Sequence, residues 1–180
     1  MHLFINQKTD LLDGRRKKLL HIAPELSMRA LFQSGDYIDY LSADLSDVSA
    51  MEKMDITEIQ YPANTFDVIY CSHVLEHVPD DRKAMREFLR VLKPGRWAIL
   101  HVPITADVTY EDPSVTDPKE RERLFGQFDH VRRYGPDYAT RLADAGFVVE
   151  THPFAEEMGA TIATQCGLDP KEAVYLCRKP

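Results

Sequence analysis

Four histidines, His21, His73, His77 and His101, fall in or just beyond the carboxyl ends of stretches that read as β-strands. Imidazole titrates near neutrality, so such a cluster at one sheet edge is suited to proton transfer. Ser72 and His73 end the apolar run Phe66–Tyr70 abruptly with hydrogen-bonding side chains, and chemistry in doubly wound sheets sits at strand ends of this kind. His77 lies four residues beyond His73, so the two share a side if the stretch is helical. With Cys71 that spacing also permits a metal, but no clear third ligand accompanies it and no metal site is expected. A second group lies in Phe128-Asp129-His130-Val131-Arg132-Arg133-Tyr134-Gly135. There His130 and Tyr134 join His77 as candidates to take a proton from a reacting group or to bind it, with Asp129 and Arg132 as further candidates to bind it. In the alternative reading Asp129 pairs with Arg132 or Arg133 and pins the segment.

Apolar strand-like runs alternate with helical patterns, which indicates an α/β sheet. Lys18–Ile22 reads as the first strand and Pro24–Gln33 as a helix with Leu26, Ala30 and Leu31 inward, stopped at Gly35. Tyr37–Ala43 is the second strand, ending at Asp44, and Met51–Ile56 supplies a short third. After the fourth, Asp80-Asp81 caps a helix with Ala84, Phe88, Leu89 and Leu92 at helical spacing, ended by Pro94-Gly95. Trp97–Val102 is the fifth strand. Residues 104–135 form a long polar insertion of lid type, with a helix signal at Thr116-Asp117-Pro118. Asp137–Ala145 reads as helix, and Phe147–Glu150 and Ala173–Cys177 as the last two strands, linked through Thr151–Glu172.

The chain has 180 residues, 44% of them hydrophobic, enough for one sizeable core, so a single domain over 1–180 is expected. A net charge of −7 argues against a broad nucleic-acid or anionic-membrane footprint, although a small RNA contact stays open. Arg15-Arg16-Lys17-Lys18 is the one dense basic run and reads as a solvated loop. Cys71, Cys166 and Cys177 lack paired spacing, which fits a reducing cytoplasm. No apolar stretch approaches the roughly 18 to 20 residues of a membrane span, and no signal-peptide pattern is present.

The segments NTFDVIYCSHVLEHV, from Asn64, and LKPGRWAILHVP, from Leu92, closely resemble the second half of the class I S-adenosylmethionine-dependent methyltransferases, type 11 group. The resemblance covers roughly Lys18 to Val149 and includes the H-V-R-x-Y run. It implies a Rossmann-like, doubly wound, seven-stranded, mostly parallel sheet whose last strand inserts antiparallel, with S-adenosylmethionine as cofactor and S-adenosylhomocysteine as product. It also implies a cofactor site at His21, Ala23, Pro24 and Glu25 after the first strand. In it Asp44 takes the ribose hydroxyls and Asp55 the adenine amino group, Leu45 and Ile56 sandwich the ring, and Ser72, His73 and Val74 lie under the methionine end; the alternatives are that Asp44 is an N-cap for the segment after Leu45-Ser46 and Asp55 a turn aspartate. The family's glycine-rich turn is missing: Leu20-His21-Ile22-Ala23-Pro24-Glu25 stands where LDIGCGTG is usual, and alanine disfavours the positive φ that a glycine supplies. Glu25 then either turns toward the cofactor's ammonium or sulfonium, or is a surface glutamate favoured by the helix dipole.

The family's cover ahead of the first strand is here reduced to Met1–Lys17, in which Leu3-Phe4-Ile5 and Leu11-Leu12 form a small cap. That leaves an open site, or one covered by a missing domain or a partner. The expected activity is methyl transfer to a small-molecule acceptor. The rivals are a non-catalytic cofactor- or nucleotide-binding module on the same fold, and methylation of a protein or RNA, for which no basic groove is visible. Neither the acceptor nor the oligomeric state is legible in the sequence.

Overall fold

In the computed structural model, which describes residues 1–170 and 172–180, the chain begins with helix α1 (His2–Lys8) and strand β1 (Lys17–Ile22). Then follow α2 (Leu26–Phe32), β2 (Ile38–Asp44), β3 (Glu52–Lys53), β4 (Phe66–Ser72), a 3₁₀ turn (Leu75–His77), α3 (Asp81–Val91) and β5 (Leu92–His101). The insertion carries β6 (Tyr110–Glu111), α4 (Pro118–Phe125) and β7 (Arg132–Arg133). The chain closes with α5 (Tyr138–Asp144), β8 (Val148–His152), α6 (Phe154–Met158), α7 (Ala160–Cys166) and β9 (Val174–Arg178).

Seven strands form one sheet in the order β3-β2-β1-β4-β5-β9-β8, while β6 and β7 pair separately. The first five strands of that sheet are parallel, and β9 runs antiparallel to both β5 and β8. This is the expected Rossmann-like arrangement. Its central strands are buried on both faces, which is why β4 is mostly apolar and has all seven residues buried, Asp67 included. Leu20, Ile22, Ile69 and Leu100 meet α3 and α5 on one face; Leu19, Val68, Tyr70 and Ile99 meet α1, α2 and α6 on the other. Strand order reverses between β1 and β4, so the crevice above those two strands is the position where such sheets bind ligands.

Local signals held where side chains could act on their own backbone. Asp80 caps α3 by accepting from the Lys83 N–H at 2.9 Å, and Asp117 caps α4 by accepting from Lys119 and Glu120, with Pro118 in the first turn. Faces and termini came out differently. Helix α2 starts two residues after Pro24 and buries Met28 and Phe32, leaving Leu26 81% exposed. Lys17 is buried and ion-paired with Asp13 at the start of β1. Phe4 and Ile5 pack with Leu19, Val68 and Phe154 on one sheet face, so of the expected cap only Met1 borders a cavity at the strand ends. The link from Thr151 to Glu172 holds α6 and α7. Among the described residues no helix is long and apolar enough to cross a membrane.

Candidate cofactor and acceptor site

The crevice above β1 and β4 opens into a cavity of about 760 Å³, lined by Ile22, Ala23, Asp44, Leu45, Asp55 and Ile56 on one side and His73, Val74, His77 and Asp129 on the other. That volume suits a cofactor, and the lining combines apolar faces with a few carboxylates. At the end of β2, Asp44 Oδ1 accepts from the N–H groups of Ser46 and Asp47, both at 2.7 Å, which fixes the carboxylate and leaves Oδ2 without a protein donor among the described residues. Asp55 is held alike: Oδ1 accepts from Thr57 N–H and Oγ, both at 2.8 Å, and Oδ2 is unused. These bonds hold the Asp55 carboxyl below the usual carboxylate range, keeping it an acceptor.

A second cavity of about 260 Å³ lies over the ends of β4 and β5, lined among others by Glu25, Tyr70, Ser72, His73, His101 and Glu172. His73 borders both cavities. Register explains its place: Ser72 pairs with His101 across β4 and β5, so the next residue turns out beside His101, with ring centroids 5.2 Å apart. His73 Nδ1 lies 3.4 Å from the carboxylate of buried Glu76. That hydrogen bond, opposed by partial burial, holds the imidazole above its usual pKa.

The turn after β1 departs from expectation at three residues. His21 is fully buried and does not line the large cavity; its Nε2 meets Glu25 at 2.6 Å and its Nδ1 meets the Tyr40 hydroxyl at 3.1 Å. Glu25 also accepts from the Tyr70 hydroxyl at 3.4 Å, so its carboxylate is tied down rather than free to turn to a ligand, and it borders the smaller cavity. Burial works against its charge, but the His21 bond prevails and keeps its pKa low. Pro24 lines neither cavity. Ala23 does border the large one, and it adopts φ +48, the left-handed backbone that a glycine would supply. Ala23→Gly is therefore expected to raise stability by about 0.5–1 kcal/mol, the relieved strain less the entropy of glycine, read as a shift of the urea midpoint; a lower midpoint would show that the methyl group packs favourably.

Of the three expected proton acceptors, His77 lines the large cavity, with Nδ1 3.2 Å from Asp129, and its ring centroid lies 4.6 Å from that of His130. Tyr134 must be withdrawn. It is fully buried, its hydroxyl donates to Asp81 at 2.6 Å, and burial pushes its pKa far up, so it cannot reach a ligand. The expected pairing of Asp129 with Arg132 or Arg133 is absent as well. Arg132 instead donates to the carbonyls of Leu75, Val78 and Pro79 and to Glu111, while Asp129 takes His77. Glu76 was not singled out from sequence, and Asp81 only as a helix cap, because neither type nor spacing reveals that a carboxylate at a helix end is buried.

The methyltransferase-domain family model of type 11 matches residues 20–100. Among curated proteins, a ubiquinone biosynthesis O-methyltransferase of Bordetella parapertussis is 31% identical over 143 residues, 77% of this chain and 45% of that protein. Residues 20–100 thus resemble a methyltransferase domain. The chain spans about half or less of the length of the curated relatives it matches. Similar solved methyltransferase folds include phosphoethanolamine N-methyltransferase 2 of Haemonchus contortus with S-adenosyl-L-methionine, at TM-score 0.59 and 13% identity, covering 92% of this chain and 49% of that one. The [4+2]-cyclase SpnF is similar at TM-score 0.61 and 21% identity, covering 99% and 80%. Methyltransferase-like sheets thus carry more than one reaction, and the reaction must be argued from the site.

Proposed function

We propose that the chain transfers a methyl group from S-adenosylmethionine to a small-molecule acceptor in the cytoplasm. What carries the proposal is His73, which borders the large cavity and the small one. The large cavity fits an adenosyl group: Asp44 Oδ2 would accept from the ribose hydroxyls, Asp55 Oδ2 from the adenine amino group, and Leu45 and Ile56 would face the ring. The methionine end would run past Ala23 and Ser72 toward His73, with the acceptor in the smaller cavity. Bound there, S-adenosylmethionine supplies an electrophilic methyl group. The chain contributes the rest. The two cavities would hold the reactants in line, and His73 Nε2, oriented through Nδ1 by Glu76, would take the acceptor's proton. S-adenosylhomocysteine is the expected product, and the three free cysteines fit a reducing compartment.

The site tests by calorimetric titration with S-adenosylmethionine and S-adenosylhomocysteine, with ATP and NAD as controls. Asp44→Ala is expected to weaken binding of the first two by about 1–3 kcal/mol, the worth of a charge-assisted bond. Asp44→Asn, which keeps Oδ1 for the turn, separates loss of the contact from loss of local order. An unchanged affinity in both variants would remove Asp44 from the ribose. A second reading, a binding module without transfer, is favoured by the tied-down His21–Glu25 pair; turnover of any acceptor would eliminate it.

A further inference from the structure

Glu76 is 2% exposed, and its Oε2 has no hydrogen-bond partner among the described residues. A buried acceptor left in this way is costly, which points to a missing cationic or donor group. Two imidazoles surround it: one carboxylate oxygen of Glu76 and one ring nitrogen each of His77 and His130 lie within 4.8 Å of one another. The second ring nitrogen of each histidine faces a group of the kind that supports a metal ligand. His77 Nδ1 is 3.2 Å from the Asp129 carboxylate, and His130 Nδ1 is 3.2 Å from the Phe125 carbonyl. Donation from Nδ1 to a carboxylate or a carbonyl is the usual support of a ligating histidine, because it fixes the tautomer that leaves Nε2 with its lone pair. Both Nε2 atoms lack a protein hydrogen bond among the described residues. Glu76 is supported too, through His73.

We infer that Glu76, His77 and His130 form a site for a divalent cation of the zinc class. Two imidazoles and one carboxylate suit zinc, and such three-ligand sets keep a fourth position for water or substrate oxygen. Glu76 and Asp129 together balance the charge of the ion. Cys71, the thiol considered from sequence, is buried and plays no part. The ion would join the 3₁₀ turn after β4, which supplies Glu76 and His77, to the insertion, which supplies His130. It would stand between the large cavity, bordered by His77, and a third of about 350 Å³, bordered by Glu76 and His130. Through the second oxygen of Glu76 it would also stiffen the group that orients His73.

The cluster His73, His101 and Glu172 is the other arrangement of ligand type. There the Glu172 carboxylate already holds His101 Nε2 at 2.5 Å, so a ligand oxygen and a ring nitrogen of that cluster are taken up by each other.

The test is titration of the chelator-treated full chain with Co²⁺, followed by displacement with Zn²⁺. One equivalent of Co²⁺ with the visible absorption of a low-coordinate site is expected, and Zn²⁺ should bleach it. His130→Ala, His130→Gln and Glu76→Gln should each weaken Zn²⁺ by at least about tenfold, while His101→Ala leaves it unchanged. Zn²⁺ should also slow amide exchange over residues 126–133 in the wild type and not in the His130 variants. No metal uptake by the wild type, an affinity indifferent to His130, or loss of binding in His101→Ala instead would overturn the site.

Discussion

Replacing His73 by alanine should lower kcat by about 10²–10⁴, the usual worth of a positioned general base, and leave the affinity for S-adenosylmethionine little changed. The reason lies in where the side chain stands. His73 borders the cavity with the two free aspartate oxygens and also the smaller one, and its Nδ1 is held by Glu76. Only Nε2 is left to meet an acceptor. Its backbone is at φ +55, one of three non-glycine residues on the left-handed side among those described. Strain of this kind costs about 1–3 kcal/mol and persists where the surroundings enforce it, typically at functional sites. His73→Gly should accordingly lose turnover while keeping or slightly raising stability, an outcome that a merely structural histidine would not give. His73→Gln keeps a hydrogen-bonding side chain of similar reach but no base, and should be as slow as alanine. Single-turnover rates with the acceptor that the wild type methylates, beside denaturation midpoints, decide the matter. Equal rates in all three variants and the wild type would move the base elsewhere, with His77 next in line.

What was legible in the sequence follows from how local each signal is. β4 could be read because both its faces are covered and every residue is apolar or tied down; Asp80 and Asp117 could be read because a cap acts within three residues. Asp44 and Asp55 were found at strand ends, where the parallel sheet delivers them to one edge. The inward face of α2 was misread because a helix starting at Leu26 rather than Pro24 presents a different stripe. The polar failures have another cause. Arg132 and Tyr134 look like binding groups in a polar insertion, yet both are buried by contacts with residues more than 50 positions away in sequence, Leu75 and Asp81. Nothing in their neighbours reports this. The same holds for Glu76, whose burial comes from the insertion folding back: the Val131 N–H donates to its carbonyl at 2.9 Å.

Asp81→Ala is expected to destabilise the fold by about 3–5 kcal/mol, the cost of breaking a buried ion pair from one side. Asp81 is 1% exposed in the first turn of α3, where the helix dipole favours its charge. Its carboxylate accepts from the Tyr134 hydroxyl at 2.6 Å and from Arg141 at 3.1 Å, and Arg132 lies 3.7 Å away. Without it, two largely buried guanidiniums would share a single carboxylate, Glu111, whose side chain is 38% exposed. Asp81→Asn, which keeps an acceptor for Tyr134, should cost less than alanine, and a loss below about 1 kcal/mol for both would show that the ion pairs are balanced by desolvation. Glu111 adds a pH dependence. Burial would raise its pKa, but hydrogen bonds from Arg141 and Arg132 prevail and lower it. A carboxylate depressed in the folded state contributes stability above its unfolded pKa and loses it as pH falls through the folded one. Denaturation midpoints of the wild type should therefore fall as pH drops from the ordinary carboxylate range down through the depressed pKa, and Glu111→Gln should flatten that limb. Because Arg132 also holds the carbonyls of Leu75, Val78 and Pro79, loosening this network frees the insertion from the turn that carries Glu76 and His77. Asp81→Asn should then speed amide exchange in 126–133 before it unfolds the sheet.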